Sequence, residues 1–153
     1  MVSMPKRVEI RPFSPADVSA VANLLGQLGY PVESEALVLE RHAALAADVQ
    51  QAVLVAVCEG QLVGLVQMAR VCLLASEGYV EVHALVVDEA ARGQGVGAAL
   101  LEAVQAWTTR FGNLRVRLGS GVHREQAHQF YEHLGYTKRA GFTFEKHMTA
   151  AVI

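Results

Sequence analysis

Residues 80–107 read VEVHALVVDEAARGQGVGAALLEAVQAW, and the rest of the chain is interpreted from this stretch. Its first part, residues 80–87, is apolar except for Glu81 and His83, which is typical of a strand buried on both faces. From Val96 onwards, apolar residues recur at steps of three and four, and this period predicts an amphipathic helix that Gly112 ends. A glycine-rich turn therefore lies where the strand passes into the helix.

The turn contains three glycines in five residues, which leaves its backbone uncovered at the positive end of a helix dipole. Successive N–H groups can then point to one place, and the usual ligand of such a corner is a phosphate. A tight turn without any ligand is the alternative. No Lys-Ser/Thr pair follows Gly97, which excludes a P-loop, and Leu100 stands where the dinucleotide motif requires Gly or Ala. The sequence therefore predicts another phosphate-bearing coenzyme.

Two motifs resemble those of one known family. Arg92-x-x-Gly95-x-Gly97 resembles the acetyl-CoA signature of the GNAT superfamily of N-acetyltransferases. The block AHQFYEHLGY at residues 127–136 is similar to the downstream helix of that family, and the spacing between the two blocks matches as well. The resemblance covers nearly the whole chain. It implies one GNAT domain over residues 1–153, of α/β class (α+β in some schemes), with a mixed, mostly antiparallel central sheet flanked by helices on both faces.

The resemblance also implies acetyl-CoA as a co-substrate. Its phosphates would bind the glycine corner, and its pantetheine arm would follow a strand that is bulged and splayed from its neighbour. No glycine marks such a bulge in the sequence. The residues implied are the strand positions Leu85, Val86 and Val87, the corner Arg92, Gly93, Gln94, Gly95, Val96, Gly97 and Ala98, and Arg124, which replaces the usual asparagine of the family.

Transfer of an acetyl group to an amine needs a proton acceptor, because alkylamines are mostly protonated at pH 7. Glu81 and His83 are the candidates, and being two residues apart on a strand they share a face at a spacing of roughly 6 to 7 Å. A salt-bridged Glu81 and a hydrogen-bonded structural His83 are the alternatives. The resemblance implies that Tyr131 protonates the departing thiolate, although packing also explains an aromatic residue there.

Composition and charge restrict the function further. The chain has 153 residues and a net charge of −2 with no basic run, which disfavours nucleic acid or an anionic membrane as a partner. Cys58 and Cys72 form no Cys-x-x-Cys pair and are expected to be reduced. No signal peptide or apolar run of ~18 residues is present, which predicts a cytoplasmic protein. The histidine spacings predict no metal site.

The remaining elements follow from their periodicity and turn residues. Glu59-Gly60 predicts a hairpin between its flanking strands, of which the long apolar one is expected to be central in the sheet. Arg115 and Arg117 are expected on a polar face, as solvated charge. The predicted strands are 7–13, 52–57, 62–74, 80–87, 114–118, 136–139 and 142–146, and the predicted helices are 14–28, 34–48, 96–111 and 124–134.

The predicted function is acetyl-CoA-dependent transfer of an acetyl group to a primary amine, by direct attack in a ternary complex. A non-catalytic acetyl-CoA-binding sensor or regulatory module is the alternative. The acceptor, a small-molecule amine or a protein amine, is expected to contact residues 28–42 and 74–79. Aminoglycosides, polyamines, amino acids, aminophosphonates and protein N-termini all remain open, and the resemblance also allows a homodimer.

Overall fold

The computed structural model describes residues 7–119 and 125–149. The chain divides into two compact units, residues 1–119 and 120–153, each of which is considered by itself. The single domain expected from the sequence stays a prediction.

The first unit contains a five-stranded sheet in the order β1-β2-β3-β4-β5. Neighbouring strands are antiparallel except β4 and β5, which are parallel. The long strand β3 is central, as predicted, and the mixed, mostly antiparallel sheet is confirmed. The elements are β1 (Val8–Pro12), α1 (Val18–Leu28), α2 (Glu35–Ala46), β2 (Gln51–Cys58), β3 (Gln61–Val71), β4 (Tyr79–Val87), α3 (Val96–Thr108) and β5 (Arg115–Leu118).

The predicted helix 14–28 consists of a 3₁₀ turn (Pro15–Asp17) followed by α1, and α2 ends at Ala46, two residues before the predicted end. The Ser14 N–H donates to the Asp17 carboxylate at 2.8 Å, closing a capping box just before α1. Gly29 ends α1 in the left-handed region, with φ of 102°. The Ser34 hydroxyl then accepts a hydrogen bond from the Leu37 N–H and caps α2.

The hairpin between β2 and β3 turns at Glu59 and Gly60, whose φ angles are 51° and 79°. Two consecutive left-handed residues form the turn whose twist matches that of the flanking strands. The predicted hairpin is confirmed.

Each face of the sheet carries its own apolar core, and helices cover both faces. On one face α3 packs on the sheet, and on the other α1 and α2 do. The α3-side core includes Met68, Val80, Val82, Val96, Leu100, Val104 and Trp107. The opposite core includes Phe13, Val21, Leu24, Val38, Val55, Leu65 and Val86.

Strand β4 contains a bulge at His83. Gln67 of β3 pairs with Ala84, and the next β3 residue, Met68, pairs with Val82, so His83 has no partner on β3. One extra residue reverses the side to which all later side chains point. Val80 and Val82 accordingly belong to the α3-side core before the bulge, and the odd-numbered Leu85 and Val87 belong to it afterwards.

The described residues of the second unit contain one helix, α4 (Glu125–His133), which is followed by Gly135 with φ of 93°. The predicted start of this helix at residue 124 lies outside the described residues. The strands predicted at 136–139 and 142–146 are wrong, since residues 136–149 have no regular secondary structure. Phe142 and Phe144 are more than 90% exposed there. Alternating side chains make a strand only where a neighbouring strand pairs with its backbone.

Candidate active site

The glycine corner adopts a conformation that only glycine accepts readily. Gly93 and Gly95 have φ angles of 78° and 85°, both left-handed. Gly95 is the N-cap residue of α3, and no side chain among the described residues caps this end. The first hydrogen bond closed at this end joins the Ala99 N–H to the Gly95 carbonyl at 3.0 Å, so the preceding N–H groups lack helical partners. The corner is thus a set of free donors at a positive helix end.

The side chains of the glycine corner differ in their burial and in their contacts. Val96 is buried in the α3-side core and contributes only its backbone to the corner. Residues 92–95 are exposed. The Arg92 side chain folds back, because its Nε donates to the Val87 carbonyl at 3.2 Å and so ties the corner to the end of β4.

Gln27 of α1 holds the segment that leads from β4 into the corner. Its amide donates to the Asp88 carboxylate at 2.8 Å and accepts from the Glu89 N–H at 3.0 Å. The Asp88 N–H in turn donates to the Val63 carbonyl of β3. Sequence reasoning missed Gln27, since nothing local signals a contact that joins residues 61 positions apart.

The second half of β4 extends beyond the end of its pairing with β5. The pairing with β5 covers only Tyr79 to Val82, so from His83 onward this edge of β4 is without a strand partner in the described part of the chain. Leu85 and Val87 pack into the α3-side core and Val86 into the other. What these residues offer a ligand is therefore their backbone.

Of the two candidate proton acceptors, Glu81 lies just before this unpaired edge and His83 is its first residue. Glu81 is half-buried and His83 is exposed, so this part of the strand is not buried on both faces as predicted, whereas the part at residues 85–87 packs on both. Val82 packs on the α3 side, so the Glu81 side chain leaves the sheet on the opposite face, whereas His83 lies at the bulge, where the alternation is interrupted.

The arginines of β5 lie beside this part of β4. In the parallel register Tyr79 pairs with Arg115 and Glu81 pairs with Arg117. Arg115 is exposed, as expected for solvated charge. Arg117 departs from that expectation, because its guanidinium carbon lies 4.4 Å from the centre of the Tyr79 ring and the side chain is half-buried.

Tyr131 belongs to α4 in the second unit and is half-buried. Its ring lies 5.5 Å from that of Phe130 and 6.3 Å from that of Tyr136, between ring centres. Arg124 lies outside the described residues. The parts assigned to Tyr131 and Arg124 in the site stay predictions.

Comparison with known proteins decides the family. The model of the acetyltransferase (GNAT) domain matches residues 50–138, more than half of the chain and including the whole glycine corner. The chain belongs to the GNAT acetyltransferase family. The predicted family is confirmed, and the protein is an acetyltransferase of GNAT type.

Solved structures share the fold of this GNAT acetyltransferase over almost its whole length. A transcriptional regulator from Bacillus halodurans C-125 is 21% identical, with 93% of this chain and 100% of that chain covered and a TM-score of 0.82. An aminoglycoside N-acetyltransferase in complex with CoA is 19% identical, with 96% and 99% covered and a TM-score of 0.81. An acetyltransferase of Trypanosoma brucei is 25% identical, with 92% and 99% covered and a TM-score of 0.74. No curated protein sequence matches the chain.

None of the described helices of this acetyltransferase is long and apolar enough to cross a membrane. Residues 7–119 and 125–149 also contain no group of three or more His, Cys, Asp or Glu side chains able to hold a metal ion.

Proposed function

We propose that this protein transfers the acetyl group of acetyl-CoA to a primary amine by direct attack in a ternary complex. The observation that carries the proposal is the glycine corner, with Gly93 and Gly95 left-handed and the start of α3 uncapped by any described side chain. Membership of the GNAT family and the CoA complex of a structural neighbour support the same coenzyme.

The coenzyme fits the residues present. Its phosphates would accept hydrogen bonds from the N–H groups of residues 93–98, at the positive end of α3. The exposed side chains of Arg92 and Gln94 border these donors. The pantetheine arm would pair with the backbone of Leu85, Val86 and Val87, where β4 has no neighbour on one edge among the described strands. When bound, acetyl-CoA supplies an acetyl group activated as a thioester.

We assign proton removal from the amine to Glu81, with His83 as the alternative. The amine nitrogen forms a bond to the thioester carbon, the carbon–sulfur bond breaks, and the proton of the amine passes to the carboxylate. We favour Glu81 because it is half-buried, whereas His83 is exposed at the bulge. Free backbone N–H groups of β4 past the bulge would meet the charge that develops on the carbonyl oxygen.

Tyr131 completes the proposal as the acid that protonates the departing sulfur. A phenol is able to give up a proton in this way. The position of Tyr131 within the motif at residues 127–136 supports this role.

The test is release of free CoA thiol from acetyl-CoA across amines that include aminoglycosides, polyamines, amino acids, aminophosphonates and peptide N-termini. Glu81→Gln and Tyr131→Phe are each expected to lower kcat by about 10²-fold or more. Glu102→Gln, an exposed carboxylate on α3, is the matched control and should keep wild-type turnover. A normal rate in Glu81→Gln and a low rate in His83→Ala would move the base to His83. Acetyl-CoA binding without turnover of any amine would refute transfer and favour a sensor.

A further inference from the structure

A cavity of about 180 Å³ lies beside the start of β4, at the end of the strand remote from the glycine corner. Its wall includes Glu77 and Tyr79 on the β4 side and Arg115 and Arg117 of β5. An apolar protein cavity of about 150 Å³ accommodates benzene. The space at β4 is therefore suited to a compact molecule, or to one end of a larger one.

The wall of this cavity is well defined where the chain turns from β3 into β4. Gly78 is buried, has φ of 80° and donates its N–H to the Ser76 hydroxyl at 3.2 Å. A β-carbon at this position would overlap the Val71 carbonyl oxygen. At Gly78 the turn therefore packs its backbone directly against the end of β3.

The charge of the lining favours an anion. Two guanidinium groups face one carboxylate, that of Glu77, which is exposed. Neither guanidinium makes a hydrogen bond or ion pair with the described residues, in contrast to the Arg11 guanidinium, which pairs with Asp17. Arginine donors have the geometry of a fork that matches a carboxylate with two parallel hydrogen bonds.

Arg117 is held in place before any ligand arrives. Its contact with the Tyr79 ring restricts the side chain. When a guanidinium stacks on a ring, the N–H donors in the plane of the guanidinium stay available to a ligand. An arginine restricted in this way loses less conformational entropy when it binds an anion.

The arginines also have a fixed relation to the proposed base. Tyr79 and Glu81 share a face of β4, and their partners across the parallel ladder are Arg115 and Arg117. Tyr79 and Glu81 are two residues apart on β4, which corresponds to roughly 7 Å. The Arg117 guanidinium lies at the Tyr79 ring, and thus about that distance from Glu81 along the strand. One short molecule can therefore place an anionic group at the arginines and an amine at Glu81.

We propose that the acceptor is a compact amine that also carries a carboxylate, which Arg115 and Arg117 bind while the amine faces Glu81. The transfer to this amine rests on the proposed function above, whereas the binding of the carboxylate does not. Amines with several positive charges and no anionic group are disfavoured, since the two guanidinium groups repel them.

The first experiment measures binding by calorimetry, with 5-aminopentanoate as the probe and pentylamine as its matched analogue without the carboxylate. The amino acid is expected to bind at least about tenfold more tightly than the amine, and Arg117→Gln should remove this advantage. Arg110→Gln, an exposed arginine after α3, should leave it unchanged. Glu77→Gln should tighten binding of the amino acid, because it removes a like charge. Equal binding of the two probes, or an advantage that survives in folded Arg115→Gln and Arg117→Gln proteins, would overturn the site.

The second experiment measures thiol release with ω-amino carboxylates from 3-aminopropanoate to 6-aminohexanoate, each beside the plain amine of equal length. A maximum of kcat/KM at one chain length, lost in Arg117→Gln, supports the inference. Equal kcat/KM for plain amines, undiminished by Arg117→Gln, would overturn it while supporting acetyl transfer. Arginine-dependent binding without turnover of any amine would overturn the proposed function and still support the carboxylate site.

Discussion

Gly64 of β3 lies so close to Leu100 of α3 that a β-carbon on Gly64 would stand 2.9 Å from the Leu100 Cδ1 atom. The same β-carbon would be 3.1 Å from Cγ1 of Val96, the first residue of the helix. The absence of a side chain at Gly64 therefore allows the start of α3 to pack closely against the central strand. This contact joins the core of the protein to the glycine corner, where the coenzyme is proposed to bind.

Gly64→Ala is expected to lower the free energy of unfolding by about 1–3 kcal/mol, because Leu100, Val96 and Ala56 of the α3-side core must move. The start of α3 would move with it, so the Kd for CoA should rise as well. Urea unfolding and calorimetry measure the two effects. Gly26→Ala is the control: this helical glycine has nothing within 4 Å of its added β-carbon, and the change should stabilise the protein by about 0.5–1 kcal/mol. An unchanged free energy of unfolding and an unchanged Kd for CoA in Gly64→Ala would contradict the close packing of α3 against β3.

Gly95 and Gly97 are expected to respond differently to alanine. Gly95 is left-handed, and a side chain there costs about 1–2 kcal/mol or forces the turn to change. Gly97 lies within the first turn of α3 without a positive φ. Gly95→Ala should therefore raise the KM for acetyl-CoA severalfold or more, whereas Gly97→Ala should be tolerated. The KM values of the two variants, measured under the same conditions, decide the point, and equal effects would show that the left-handed turn does not set the affinity.

Gln27 should act on coenzyme binding from a distance. Gln27→Glu removes the donor to Asp88 and places a second carboxylate beside it, so the segment leading into the corner should shift. We expect the KM for acetyl-CoA to rise about threefold to tenfold, with a smaller change in kcat. Gln105→Glu puts the same charge on an exposed position of α3 and should leave the KM as it is. A change in kcat alone would argue against a positioning role for Gln27.

The ion pair between Arg11 and Asp17 should make stability depend on pH in acid. The pKa of Asp17 is held below its ordinary value of 3.8, chiefly because the Arg11 guanidinium donates two hydrogen bonds to the carboxylate. A lowered folded-state pKa adds stability that is fully present above the unfolded value and is lost as pH falls through the folded one. Urea unfolding between about pH 5 and about pH 2 should thus show a smaller loss of stability in Asp17→Asn than in the wild type. Glu33→Gln, which alters a carboxylate without an ion pair to the described residues, should lose as much as the wild type.

Most of the first unit was predictable because its signals are local. Caps, left-handed glycines and apolar periods act within a few residues, and Ser14, Ser34, Gly29 and Gly60 behave as their residue types favour. The glycine corner belongs to the same class. Its conformation follows from the residues in it, and so the motif predicted the family before any contact was known.

The rest depended on which strands and helices meet, and only the tertiary structure decided it. The bulge at His83 arises from the pairing with β3. The hydrogen bond between Gln27 and Asp88 joins residues 61 positions apart. The contact of Arg117 with the Tyr79 ring follows from the parallel register of β5. The alternation at residues 142–146 shows the converse, since a strand pattern without a paired neighbour formed no strand. Local preferences set the conformation of a turn or a helix end, but a contact between distant residues exists only once the backbone between them has folded.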